Sequence, residues 1–305
     1  MRVATQDRFG GPEVLTIVER DRPTPRPGEV LVRVKAASVN YGEGKLRAGT
    51  LPEAGQPPFT LGSDLSGVVA ETGPGVTRFR PGDEVYGIYF IGTYAEYVRV
   101  PASNLATKPS TLDHTHAAAL PVAALTAAQA IFELAKAHEG QRILVHAAAG
   151  GVGHFAVQFA KSQGAYVAAT ARAEKHEFLR GLGVDQPIDY STVDFTTVAR
   201  EMDVVLDLVG GEYGPRSLDV LRPGGLLLGA ALPPGVDEAQ AAARDRRYSW
   251  VGVRASGAEL EKITDLVQAG QILIHVQRTY PLDELVEAHR VSETGRVTGK
   301  LVITL

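Results

Sequence analysis

From Gln141 to Gly153 the chain reads Gln-Arg-Ile-Leu-Val-His-Ala-Ala-Ala-Gly-Gly-Val-Gly. Ile143-Leu144-Val145 has the composition of a buried parallel strand. Small residues come next, and then a run in which Phe155, Val157, Phe159 and Ala160 interleave with Gln158 and Lys161. Strand, turn of small residues and helix, in that order, form the context in which a glycine pattern reports a dinucleotide site. Small residues let the backbone pass close to a pyrophosphate, and the N–H groups and positive end of the helix hold the phosphates. Ala149, Gly150, Gly151, Val152 and Gly153 are therefore candidate phosphate contacts. The strict three-glycine spacing is broken, because Ala148 holds the first position and Gly150 and Gly153 the second and third. Alanine suits the turn where its φ is negative. A glycine turn that only packs a helix on a sheet is the alternative.

The next strand bears on the choice. After Gly164 the apolar run Ala165-Tyr166-Val167-Ala168-Ala169-Thr170 predicts a second strand, joined to the first by a right-handed parallel crossover. An acid at the end of this strand would meet the ribose 2′-hydroxyl of NAD. The residues there are Thr170, Ala171, Arg172, Ala173, Glu174 and Lys175. Arg172 can instead bind a 2′-phosphate bidentately, and Lys175 can meet it as a point charge. Glu174 opposes this with its own charge, although an acid also suits a helix N-terminus. The pattern favours NADP over NAD.

The elements that must carry this site fit an ordinary soluble enzyme. The chain has 305 residues, enough for two domains, with 44% hydrophobic and 22% charged residues. A net charge of −4 offers no basic field for nucleic acid, and Arg244-Asp245-Arg246-Arg247 reads as a solvated turn. There is no apolar run long enough for a membrane span and no apolar core of a signal peptide near the N-terminus, so a cytoplasmic location is expected. Cysteine is absent, which removes disulfides, thiolate catalysis and cysteine-ligated zinc. The eight histidines are scattered, and His114 and His116 diverge on a helix, so no metal site is expected.

Residues 1 to 110 hold short alternating runs such as Glu29–Lys35 and Tyr94–Val100, separated by Pro27-Gly28, Gly73-Pro74-Gly75 and Pro81-Gly82-Asp83. This spacing predicts a mostly antiparallel β-domain. An alanine-rich helical region runs from about Asp113 to Lys136 and is interrupted at Pro121. Strands at 143–146, 165–170, 203–209 and 225–230, with a last one near Trp250, then alternate with helices, as in a doubly wound parallel sheet. The tail predicts a helix over 258–269, a strand over 271–278, a helix over 283–292 and a final strand over 300–305.

Several segments together resemble the medium-chain dehydrogenase/reductase superfamily, in particular its zinc-free quinone oxidoreductase and enone reductase branch. They are Gly28–Val32, Asn40 with Lys45-Leu46-Arg47-Ala48-Gly49, Leu61–Val69, Pro81–Val85, Thr93–Tyr97, Leu120-Pro121 with Leu125-Thr126-Ala127, the turn ending at Gly153, and Gly295 with Gly299–Val302. Their order and spacing carry the resemblance. It implies an α/β fold: a GroES-like β-barrel domain from residues 1–119 and 253–305, a doubly wound parallel-sheet Rossmann domain from 120–252, and NADP(H) held in the cleft between them.

By this resemblance Gly150, Gly151, Val152 and Gly153 would cradle the pyrophosphate, and Arg172, Lys175 and Tyr190 would surround the 2′-phosphate. Thr126 would meet the nicotinamide side. Leu208, Val209 and Gly210 would line the adenosine ribose, and Ala230, Ala231 and Leu232 the nicotinamide ribose. Asn40, Lys45 and Lys300 would face the cleft. Relatives often read Asn-Pro-Val-Asp where this chain has Asn40-Tyr41-Gly42-Glu43, and Lys45 leans towards enone reductases rather than quinone oxidoreductases. Tyr41 is then either a substrate contact or packing beneath the cofactor.

The expected activity is NADPH-dependent reduction of a small-molecule quinone or of the C=C bond of an α,β-unsaturated carbonyl. Asn40 and Lys45 would stabilise the developing enolate oxygen, and Tyr41 or water would supply the proton. An enoyl-thioester reductase and an NADPH-binding structural or redox-sensing protein remain as alternatives. The segment Tyr248–Val253 reads as an edge strand, and the resemblance implies that this edge pairs across a two-fold axis, so a homodimer is expected.

Overall fold

The computed structural model describes residues 1–51 and 55–305. Two compact units form, one from Met1–Leu125 with Ala255–Leu305 and the other from Thr126–Arg254.

The first unit is built on a seven-stranded sheet. Its central strand, Glu29–Val39, starts after a Pro27-Gly28 turn in which Gly28 takes φ +77. It pairs antiparallel with Asp64–Thr72 on one side, and on its other side with Tyr97–Pro101 along its first half and with Lys300–Thr304 along its second. Asp64–Thr72 continues to Glu84–Ile88 and Leu105–Thr107, and Val276–Pro281 lies parallel beside Lys300–Thr304. A small antiparallel sheet of Thr16–Glu19, Arg2–Gln6 and Phe59–Thr60 completes the unit. Val30, Val32, Val34, Leu65, Val69 and Val85 form one core, as the valine alternation requires. Ala37, Val39, Leu61, Tyr94, Leu301 and Ile303 form another, against the helix Leu285–Glu293.

One tail element lies elsewhere than its sequence predicts. The strand expected over 271–278 is found at Val276–Pro281. The apolar residues Ile272 and Ile274 suit a strand, but pairing with Lys300–Thr304 begins only at Val276, so the earlier residues have no ladder to join.

The second unit is one six-stranded, fully parallel sheet. Its order is Gln186–Asp189, Tyr166–Ala171, Arg142–Val145, Met202–Asp207, Leu221–Gly229, Arg247–Trp250. Counted along the chain this is 3-2-1-4-5-6, the doubly wound order of a dinucleotide-binding sheet. The direction of winding reverses between Arg142–Val145 and Met202–Asp207, and ligands of such sheets bind beyond the carboxyl ends of the strands at that point. Gln186–Asp189 is an edge strand absent from the expected set. It is short and contains Pro187, which an edge tolerates.

The alanine-rich region breaks into His114–Ala118, capped by the Asp113 carboxylate, then Pro121–Ala128 and a π-helical stretch Gln129–Leu134. Among the described residues no helix is long and apolar enough to cross a membrane.

Candidate active site

The glycine turn sits at the carboxyl end of Arg142–Val145 and leads into the helix Gly153–Ser162, which has no acid in its first turn. Its left-handed residue is Ala147, with φ 48. Ala148 and Ala149 lie buried behind it. The Ala147 carbonyl accepts from Gly150 N at 2.9 Å. A Cβ on Gly153 would stand 2.5 Å from that same oxygen and 2.6 Å from Ala148 Cα. Gly153 is thus required by space rather than by φ. Gly150, Gly151 and Val152 are only half-buried. Small residues and a helix N-terminus free of acid at the switch point of the sheet fit a pyrophosphate.

Two of the three candidates for a 2′-phosphate meet. Arg172 Nε donates to the Tyr190 hydroxyl at 3.2 Å. That bond, with the nearby charges of Glu174 and Asp189, holds the guanidinium proton more firmly than usual. Lys175, at the end of the turn Ala173–Lys175, is half-buried, and burial together with the Arg172 charge pushes its ammonium pKa down. One acid at this end of the sheet, Asp189, is engaged by Ser191 N at 3.0 Å, Ser191 Oγ at 2.7 Å and Thr192 Oγ1 at 3.2 Å.

The segments after the fourth and fifth strands also come together. Asp207 is buried, and its Oδ1 accepts from Val209 N and Gly210 N, both at 2.9 Å. Gly210 takes φ +74, and a Cβ there would be 2.4 Å from Pro233 O. Gly211 N donates to Pro233 O at 3.0 Å, and Ala230 N donates to Asp207 O at 2.9 Å. Leu208-Val209-Gly210 and Ala230-Ala231-Leu232 are therefore tied into one rim, with Val209 and Leu232 exposed upon it. Thr126 is buried on Pro121–Ala128.

In the first unit Asn40 caps the helix Tyr41–Ala48. Its backbone N and its Nδ2 both donate to Glu43, each at 3.2 Å. Nδ2 also donates to Asp64 Oδ2 at 3.0 Å, and Oδ1 accepts from Lys300 Nζ at 2.6 Å. Both amide hydrogens of Asn40 are thus directed at carboxylates, and neither is left for a substrate oxygen. Lys300 is buried, and its Nζ lies 3.2 Å from Val39 O and 3.5 Å from Asp64 Oδ2 as well. It holds this cluster rather than projecting freely. Asp64, fully buried, further accepts from Ser38 Oγ and from Val122 N at 2.6 Å, at the start of Pro121–Ala128.

Glu43 is buried too and accepts a short hydrogen bond from the Tyr94 hydroxyl. Burial raises the Glu43 pKa, and burial beside Glu43 raises that of Tyr94. Tyr41 is 59% exposed, and Lys45 Nζ lies 5.3 Å from its ring centroid. Partial burial lowers the Lys45 pKa. Sequence reasoning overlooked Asp64, Glu43 and Asp207. For Asp64 and Asp207 the available signal is an acid at the first or last position of an apolar strand run, as in Asp64-Leu65 and Leu206-Asp207.

Residues 26–110 match the model of the alcohol dehydrogenase GroES-like domain, and residues 182–303 match that of a zinc-binding dehydrogenase domain. The chain is 35% identical to the mitochondrial NAD(P)H oxidoreductase RTN4IP1 of Mus musculus, over 98% of this chain and 88% of that protein. It is 34% identical to a 2-haloacrylate reductase of Burkholderia sp, over 96% of both. Among solved structures, the quinone oxidoreductase from Coxiella burnetii superposes with a TM-score of 0.96 at 37% identity, over 100% of this chain and 99% of that one. The chain belongs to the medium-chain dehydrogenase/reductase superfamily, in its quinone oxidoreductase and enone reductase branch, and has that family's GroES-like and Rossmann folds. It is an oxidoreductase. Among the described residues no group of three or more His, Asp or Glu could hold a metal ion.

Proposed function

We propose that this oxidoreductase uses NADPH to reduce a quinone or the C=C bond of an α,β-unsaturated carbonyl, without zinc. The observation that carries the cofactor choice is the Arg172–Tyr190 pair at the ends of the second and third strands, where the second strand ends in no acid. A guanidinium oriented by a phenol presents donors to a phosphate, whereas a ribose diol calls for a carboxylate. When bound, the cofactor supplies a hydride.

In this reading residues 149–153 hold the pyrophosphate, Arg172, Lys175 and Tyr190 the 2′-phosphate, and Leu208–Gly210 and Ala230–Leu232 the two riboses. Thr126 lies on the nicotinamide side. Lys45 is the cation for the developing enolate or quinol oxygen, and Tyr41 or water returns the proton. Asn40 and Lys300 position the start of the Tyr41 helix. The relative that reduces 2-haloacrylate and the one called a quinone oxidoreductase support the two acceptor classes. The edge strand Arg247–Trp250, with Trp250 exposed, supports a homodimer.

The test is cofactor oxidation with NADPH and NADH against quinones, enones and enoyl thioesters. Turnover with NADPH is expected for one of the first two classes. Arg172→Ala should raise KM for NADPH roughly tenfold or more, the worth of a charge-assisted hydrogen bond, and leave KM for NADH unchanged. Lys45→Ala should lower kcat more than it weakens NADPH binding. Turnover confined to enoyl thioesters, or tight binding with no turnover, would overturn the reading.

A further inference from the structure

His146 comes directly after the last residue of Arg142–Val145 and is fully buried. Its Nε2 lies 3.1 Å from Ser217 Oγ, and its Nδ1 lies 3.0 Å from Thr170 Oγ1. The neighbours fix the proton positions. Ser217 Oγ donates its own hydrogen to Tyr213 O at 2.7 Å, so it accepts from Nε2–H. Nδ1 is then an acceptor for the Thr170 hydroxyl. With its hydrogen spent, Thr170 Oγ1 can accept from Ala147 N, at 3.3 Å. Each group in this chain has one role, and the roles run in one direction from Ala147 N to Tyr213 O.

Ala147 is the left-handed residue of the turn, a conformation an alanine does not choose by itself. Its carbonyl takes Gly150 N, and a Cβ added at Gly153 would stand 2.5 Å from that oxygen. Thr170 lies two residues before Arg172, and Ser217 stands on the helix Tyr213–Val220, just beyond Leu208-Val209-Gly210. The imidazole therefore ties together three segments: the glycine turn, the end of the second strand and the helix after the fourth. Phe195 and Tyr213 close on it edge-on, with ring centroids at 4.6 and 4.9 Å.

We propose that His146 is the positioning residue of the dinucleotide site: through Thr170 it holds Ala147 left-handed and so fixes the phosphate turn before any ligand arrives. This rests on the proposed use of NADPH. His146 touches no cofactor atom and acts by keeping the turn preorganised. Without the chain of bonds Ala147 relaxes to negative φ, and binding must reimpose the left-handed conformation.

The experiment measures NADPH dissociation constants by calorimetry for wild type, His146→Phe, Thr170→Val, Ala147→Gly and the two double variants containing Ala147→Gly, with circular dichroism of each. Phenylalanine fits among the aromatic neighbours, and valine keeps the shape of threonine. If one of the two fails to fold, the other carries the test. His146→Phe and Thr170→Val should weaken NADPH binding about tenfold, the cost of a left-handed alanine. Ala147→Gly alone should stay within about twofold of wild type. Added to either variant, it should restore most of the loss, since glycine adopts positive φ freely. Wild-type affinity in both single variants, or a loss that glycine does not recover, would overturn the proposal. Absence of NADPH binding by wild type itself would overturn the functional reading and this inference with it.

Discussion

His146 in the nucleotide unit and His289 in the other are both buried, and desolvation pushes both down to about 3. Their partners differ. His146 spends both ring nitrogens on hydroxyls, so its network is neutral and every member is satisfied. His289 offers Nδ1 to the buried Arg47 guanidinium at 3.0 Å, and among the described residues its Nε2 has no hydrogen-bond partner. Arg47 in turn pairs with Glu293 at 2.6 Å and donates to Gly10 O at 3.1 Å. The Asp64–Lys300–Asn40 cluster repeats the charged style in the same unit. The His146 network is held by neutral bonds alone, whereas the Arg47 and Asp64 clusters are held by buried charge. Removing a partner from a neutral network leaves an unsatisfied dipole, while removing one from a charged network leaves an ion with nowhere to go.

The largest expected effect attacks that difference directly. Asp64→Leu strips Lys300 Nζ of its counter-ion while keeping it buried. It also frees Ser38, Asn40 and Val122 N from their shared acceptor. Breaking a buried pair in this way costs about 3–5 kcal/mol, against about 1–3 kcal/mol for leaving neutral groups unsatisfied around His146→Phe. Urea unfolding of the two variants compares them. An Asp64→Leu loss no larger than that of His146→Phe would dissolve the distinction.

Acid titration should sharpen it next. The folded value of each histidine, about 3, lies below the ordinary 6.5, so between these limits the native state binds fewer protons than the unfolded chain. Stability is full above pH 6.5 and is lost as pH falls towards 3, by about 1.4 kcal/mol per pH unit per histidine. Glu43, whose pKa is raised by burial, works in the opposite sense: it costs stability as pH rises through its ordinary 4.5 and beyond. His146→Phe and His289→Phe should each remove one proton's worth of slope between pH 6.5 and 5, measured by thermal unfolding. An unchanged slope in either variant would mean that its imidazole is not held neutral.

The contrast also marks what could be read from the sequence. Glycine turns and apolar runs are local, so the order of strands and the place of the nucleotide turn were legible in Ile143–Gly153 and Ala165–Thr170. Arg172 and Tyr190, 18 residues apart, were brought together only by the family resemblance, because the short edge strand that ends before Tyr190 carries too weak a pattern to be expected. The charged cluster was not legible. Asp64 meets Asn40 across 24 residues, Val122 across 58 and Lys300 across 236, and no periodicity records such contacts. Ala147 escaped for another reason. Its left-handed φ is imposed by a bond from a neighbouring strand, and alanine carries none of the signal a glycine would.

A single methyl group added in each unit has a moderate effect in one and the smallest of all in the other. A Cβ at Gly153 would meet only backbone, 2.5 Å from Ala147 O and 2.6 Å from Ala148 Cα, and the turn that must give way is itself fixed by Thr170. Gly153→Ala should therefore cost about 1–3 kcal/mol, as overpacking does, read chiefly as weaker NADPH binding. At Gly44, inside the helix Tyr41–Ala48, the nearest atom is Glu293 Oε1 at 3.0 Å. That carboxylate ends a flexible side chain, and alanine gains roughly 1 kcal/mol in a helix interior. The strain and the gain nearly cancel, so Gly44→Ala should stay within about 0.5 kcal/mol of wild type in urea unfolding. A large loss at Gly44 would mean that the Glu293 carboxylate, held by Arg47, is as unyielding as the backbone of the nucleotide turn.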